Sequence, residues 1–142
     1  MITVPISLGE LVDKLTILKI KKDKISDPDK LANVVKEYDL LIDILHEHQL
    51  GEDHELFQEL YRLNLAFWEY HDWQRERWTL VAQLPDDHID TELYRKTREE
   101  HLMNDQRAEI KKRINTLYRS EIVEEKQFKG YGIWLCYIHL IL

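Results

Sequence analysis

No glycine or proline interrupts the chain between Asp53 and Pro85. Apolar residues return every three or four positions along it, which predicts one long helix approaching roughly 45 Å at 1.5 Å per residue. Two adjacent stripes run along this stretch. One is Leu56, Leu60, Leu63, Phe67 and Tyr70; the other is Phe57, Tyr61, Asn64, Trp68, His71, Arg75 and Trp78. Beyond Tyr70 the first stripe turns polar, so the distal half is expected to be less well buried or to cover a partner.

The flanking sequence supplies helices to pack against. Ser7 and Glu10 have capping-box spacing, in which the Ser oxygen meets the N3 amide and the Glu reaches back to the Ser amide. Leu8, Leu11, Leu15, Leu18 and Ile25 then share a stripe, which predicts a first helix over 8–25. Asp27 is a good N-cap and Pro28 suits the first position of a second helix. Leu31, Val34, Val35, Tyr38, Leu41, Ile42 and Leu45 give that helix one apolar face, and Gly51 is a reasonable stop. The short connection makes the pair an antiparallel hairpin. After Pro85, Asp86 or Asp87 can cap a further helix carrying Ile89 and Leu93. Residues 95–101 are nearly all polar, and apolar spacing resumes at Met103, Ile110, Ile114 and Leu117. Asn104 or Asp105 could cap a separate segment there. The run 133–142 has strand-like composition, although length alone does not separate a strand from a buried helix.

With 142 residues, 44% hydrophobic, 33% charged, four Gly and three Pro, the composition favours helices over a sandwich or barrel. The expected architecture is all-α, an elongated antiparallel bundle built from a helical hairpin plus one or two long helices. One helical domain is expected over 1–126, with an apolar tail at 127–142. Leu11, Leu15, Leu18, Leu41, Leu45, Leu60, Leu63, Phe67, Ile110 and Ile114 are the expected core.

The formal charge of −7 argues against nucleic-acid binding, which needs a basic footprint. Cys136 is the single cysteine, so an internal disulfide is impossible and a reducing compartment is the default. The N-terminus lacks the basic and long apolar regions of a signal peptide. The apolar run at the end is about half the length of a membrane helix. The plain reading is a soluble cytoplasmic protein without a membrane span.

His46, His48 and His54 suggest a metal cluster, but the first two point about 200° apart on a helix, and solvated helix-end residues are the better reading. Glu52 with Glu55, and Glu69 with Asp72, superficially resemble the paired carboxylates that hold Mg²⁺ in all-α nucleoside triphosphate pyrophosphohydrolases. With 27 acidic residues such spacing arises easily by chance, and Glu52 falls in a turn. No Gly-rich loop can cradle a phosphate. Cys136, in an apolar run, reads as an inert thiol. No cofactor is expected.

A polar set flanks the apolar stripes. Asn64, Trp68, Asp72 and Arg75 lie on one face of the long helix. Glu10 and Lys14 are i,i+4 partners beside Asp13 in the first helix, and Arg107 and Lys111 lie next to Ile110 and Ile114. Packing of the stripes should draw these nine residues to one seam. A fully satisfied network there would be a structural lock on helix register, which is the favoured reading. Unpaired donors around a cavity would make it a site for a small anionic or sugar-like ligand. Trp73 and Trp78, where the inner stripe has turned polar, suggest self-association or a protein partner.

The same residues carry a family resemblance. Val4-Pro5-Ile6-Ser7-x-Gly9-Glu10-Leu11-x-Asp13-Lys14 resembles the opening signature of a small bacterial and phage family that is a domain of unknown function. Further blocks follow in order: Asp27-Pro28-x-Lys30-Leu31-Ala32-Asn33-Val34, then Asn64-x-x-Phe67-Trp68-x-x-x-Asp72-x-x-Arg75. Asn104-Asp105-x-Arg107-Ala108-x-Ile110-Lys111-x-Arg113-Ile114-Asn115 and Glu124-Glu125-Lys126 complete the set. The likeness spans about residues 2–126. It implies a stand-alone helical protein whose relatives occur beside or fused to glycan-assembly proteins such as glycosyltransferases. The functional expectation is therefore a non-enzymatic binding or assembly module accessory to surface-glycan synthesis. An Mg²⁺-dependent pyrophosphohydrolase-like enzyme is the alternative.

Overall fold

The computed structural model describes residues 2–85 and 88–125. The fold is an all-α bundle of four helices: α1 (Leu8–Lys24), α2 (Pro28–Glu47), α3 (Glu55–Val81) and α4 (Thr91–Leu117). Each start is fixed by a side chain that satisfies an otherwise orphaned amide. Ser7 accepts from the Glu10 amide, Asp27 from the Asp29 and Lys30 amides, His54 from the Leu56 amide and Asp90 from the Leu93 amide. Pro28 occupies the first turn of α2, where its missing N–H has no consequence.

Several boundaries differ from expectation. Only the Ser7 half of the capping box forms, because the Glu10 carboxylate turns instead to Lys111. The stop after α2 is not Gly51. The helix ends at Glu47, and Gln49 adopts the left-handed conformation with φ 56°. His54, read as a solvated residue, is the cap of α3. α4 runs unbroken through Asn104 and Asp105, so neither is a cap. Its cap is Asp90, while the Asp86 and Asp87 expected there lie outside the described residues, as does the tail with Cys136.

α1 is the element that packs against all three others, and α3 also packs on α4. α4 runs antiparallel to both α1 and α3. Along the first pair, Gly9, Glu10 and Asp13 meet Asn115, Lys111 and Arg107. Along the second, Glu59, His71 and Arg77 meet Arg113, Glu100 and Asp90. The core holds Leu11, Leu15 and Leu18 of α1, Leu45 of α2, Phe57 and Leu60 of α3, and Ile110 and Ile114 of α4. Leu41 and Leu63 are only partly buried and pack on its edge. Phe67 is half-buried because it lines a cleft. Leu93 is buried as expected, but Ile89 is exposed. Among the described residues the distal third of α3 pairs with the start of α4, and Trp78, Leu80, Leu84 and Tyr94 are exposed.

Candidate functional site

Asp13 is the centre of the polar seam. One turn and a half into α1, it is 4% exposed and projects between α3 and α4. Arg107 grips it in a two-pronged pair, Nε to Oδ1 at 2.8 Å and Nη2 to Oδ2 at 2.5 Å. That fork geometry suits a carboxylate and fixes orientation as well as charge. The hydrogen bonds that Arg107 donates to Asp13, acting against burial, hold the guanidinium above its ordinary pKa.

Asn64 completes the junction from α3. Its Nδ2 donates to Asp13 Oδ1 at 2.9 Å and to Thr16 Oγ1 at 2.8 Å. Thr16 spends its own hydroxyl proton on the Asp13 carbonyl, so its oxygen can only accept from Asn64. Both partners of the amide are thus acceptors. The nitrogen must face inward, and Oδ1 must face the other way.

A second junction lies nearer the start of α1. The Gly9 amide donates to Asn115 Oδ1 at 2.7 Å, and a Cβ at Gly9 would come within 2.6 Å of the Lys111 carbonyl oxygen. Only glycine lets the two backbones approach this closely. Lys111 is 8% exposed and is shared between Glu10 and Glu124. Burial works against its charge, but the two carboxylates outweigh that and raise its pKa. Burial, then the neighbouring Glu124 carboxyl, raises Glu10 against the pull of Lys111. The Leu8 amide reaches Ser120 Oγ, which ties the segment after α4 to the same helix start.

Of the nine residues expected at the seam, Glu10, Asp13, Asn64, Arg107 and Lys111 meet there. Trp68 lies beside it, in the cleft wall. Lys14 does not join, and is not a partner of Glu10: it reaches across to Glu37 of α2 at 2.7 Å. Asp72 and Arg75 do not join either. They pair with each other at 2.9 Å, with side chains 54% and 76% exposed. The reason is distance along α3. At 1.5 Å per residue the i+8 and i+11 positions lie about 12 and 16 Å beyond Asn64, past the level of Asp13. Thr16, Asn115, His71 and Glu100 are the participants that sequence reasoning missed. Thr16 sits one turn after Asp13, and Asn115 closes the Arg-Ile-Asn block, which are the signals that could have marked them.

Against the outer side of the Asp13 junction lies a cleft of about 400 Å³ between α1, α3 and α4. Ile17, Ile20, Phe67 and Trp68 give it apolar walls; Asn64, Asn104, His71, Glu100, His101 and Arg107 give it polar ones. His71 Nε2 lies 3.2 Å from Glu100 Oε1. A larger but shallow trough runs along α2 past Val35 and Leu40, on one helix alone. Among the described residues no buried side-chain nitrogen or oxygen lacks a hydrogen-bond partner. None of the described His, Cys, Asp and Glu side chains gather into a set of three that could hold a metal ion. Glu52 is engaged by Lys19 at 2.7 Å and by the Tyr38 hydroxyl. No described helix is long and apolar enough to cross a membrane. Trp73 stacks on Tyr70 under Lys96, within its own chain, while Trp78 remains 53% exposed.

The chain matches a family of unknown function, DUF6165, over residues 2–134. It belongs to that family, and the match reaches past residue 126 into the tail. Comparison with curated proteins and with solved structures gives no match in either case.

Proposed function

We propose that this DUF6165 member is a non-enzymatic binding module, accessory to surface-glycan assembly, that takes a small polar ligand of sugar-like or anionic type into the α1/α3/α4 cleft. The observation that carries the proposal is the pairing of a satisfied polar junction with an open cleft on its flank. A volume of about 400 Å³ falls within the range of roughly 300–1,000 Å³ usual for small-molecule sites. Its make-up is also typical of such sites: apolar and aromatic walls with a few fixed polar groups. The Asp13–Arg107–Asn64 junction holds Asn64 and Arg107 rigidly at the cleft edge, so binding would meet preorganised groups.

The division of labour follows from this geometry. The lock reading and the site reading, which compete when only the sequence is known, apply to two sides of the same residues. Asp13, Thr16 and the inner donors of Asn64 and Arg107 set helix register. The outer atoms of Asn64 and Arg107, with Trp68 and Phe67, face the ligand. The test is titration of the ¹⁵N-labelled protein with a panel of free sugars, uronic acids and sugar phosphates. Saturable shifts confined to the Trp68 indole and the Asn64 and Asn104 side-chain amides are expected. A panel that shifts resonances elsewhere, or none, would refute the cleft as the site.

A further inference from the structure

We infer that the ligand taken by the cleft is a neutral polyhydroxy ring, a hexose-type unit, rather than an anion. This rests on the reading of the cleft as a binding site. The argument begins with charge. Among the described residues lining the cleft there is one Arg and no Lys. That cation, Arg107, already faces the Asp13 carboxylate through both Nε and Nη2. The one lining carboxylate, Glu100, is engaged by His71. An incoming anion would find no uncommitted guanidinium or ammonium and would approach Glu100 and buried Asp13. The chain as a whole, at −7, also repels anions at long range.

The hydrogen-bonding groups left over are of the opposite kind. Asn64 Oδ1 accepts from no described residue, although Asn64 is only 5% exposed. Since no buried polar side-chain atom of the described residues is left unpartnered, that oxygen keeps an opening to solvent, and the opening at Asn64 is the cleft. Trp68 is half-buried in the same wall, and its Nε1 makes no hydrogen bond to any described residue. Arg107 Nη1 is the part of the guanidinium that Asp13 does not use. One acceptor and two donors, spaced around aromatic rings, match hydroxyl groups, which donate and accept at once. The rings of Phe67 and Trp68 suit the apolar C–H faces of a pyranose. A phosphate or carboxylate could use the donors but would be repelled by the Asn64 oxygen.

The experiment compares matched pairs at constant ionic strength, read by the Trp68 indole resonance. Methyl glucoside is set against glucuronate, and N-acetylglucosamine against its 6-phosphate. The expected result is that at least one neutral member binds and that its charged counterpart is weaker by about tenfold or more, roughly 1.4 kcal/mol. Trp68→Phe keeps a ring and loses the N–H, so, read by the Asn64 and Asn104 side-chain amides instead, it should weaken the neutral ligand by about two- to tenfold. Charged members binding as tightly as, or more tightly than, neutral ones would overturn the neutral assignment and leave the cleft reading standing. If no member of either set moves the Trp68 indole, both fall. Asp13→Asn frees Arg107 and should reverse the preference toward glucuronate; unchanged preference in a folded variant would contradict the charge argument.

Discussion

Two acid–arginine pairs in this molecule look alike on paper and differ in almost every physical respect. Asp13 and Arg107 are 94 residues apart, join α1 to α4, and close a two-pronged contact in a seam where Asp13 is nearly sealed from water. Asp72 and Arg75 are one helical turn apart on α3, and both are largely in solvent. In the first pair Asp13 has lost most of its hydration, so its charge depends on Arg107 and on Asn64, while the Arg107 side chain keeps 28% of its surface open at the cleft. The second pair keeps its water, so its attraction is screened and its contribution is within about 1 kcal/mol. The same contrast separates the two halves of α3. Its first half is anchored by Phe57, Leu60 and Asn64 against α1, whereas its last turns present Trp78 and Leu80 to solvent.

The sharpest way to break this contrast is to remove Asp13. Asp13→Ala strands Arg107 and the inner donor of Asn64 and should destabilise the fold by about 3–5 kcal/mol in urea unfolding. A loss under about 1 kcal/mol would show that the seam is wet. Next in size, Leu15→Ala should lose about 2–5 kcal/mol, since Leu15 is fully enclosed. Leu80→Ala at the exposed end of α3 should stay within about 0.5 kcal/mol. Comparable losses at the two sites would erase the distinction between the halves. Gly9→Ala drives a methyl into the Lys111 carbonyl and should cost about 1–3 kcal/mol, detectable as a lower thermal midpoint.

The smallest effect expected is at Glu10. Its carboxyl is raised above the ordinary value, so the folded state holds that proton more tightly than the unfolded chain. The stabilisation this gives is fully present below the ordinary value and is lost as pH rises through the raised folded one. Glu10→Gln should therefore flatten the pH dependence of stability across that window. The change should stay below about 0.5 kcal/mol, because Glu10 is over a third exposed and Glu124 still pairs with Lys111. A steeper dependence in the variant would reverse the assigned sign.

The helices were legible because their determinants are local. Ser7, Asp27 and Pro28 mark starts by chemistry that acts within one turn, and the stripes through Leu15, Leu60 and Ile114 mark the buried faces. The ends were less legible, since Gln49 takes a left-handed residue's place with no sequence signal, and Asp90 competes with Asp86 and Asp87 for one capping role. Asp13, Asn64 and Arg107 could be nominated because each borders an apolar stripe. Which neighbours joined them could not, because that depends on where along each helix the partners cross. Lys14 and Asp72 have the spacing of participants and point elsewhere. The cleft depends on His71 of α3 and on Glu100 and His101 of α4, and the last two come from the nearly all-polar stretch 95–101, which has no apolar spacing to mark a packed face.

Two double-mutant cycles in urea compare the pairs directly: Asp13→Asn with Arg107→Gln, and Asp72→Asn with Arg75→Gln. Pair coupling of about 1.5–3 kcal/mol is predicted for Asp13 and Arg107, and under about 0.5 kcal/mol for Asp72 and Arg75. Couplings of equal size, or one below about 0.5 kcal/mol at Asp13, would contradict the claim that an ion pair on a buried carboxylate sets the register of α1 on α4 and holds the cleft open.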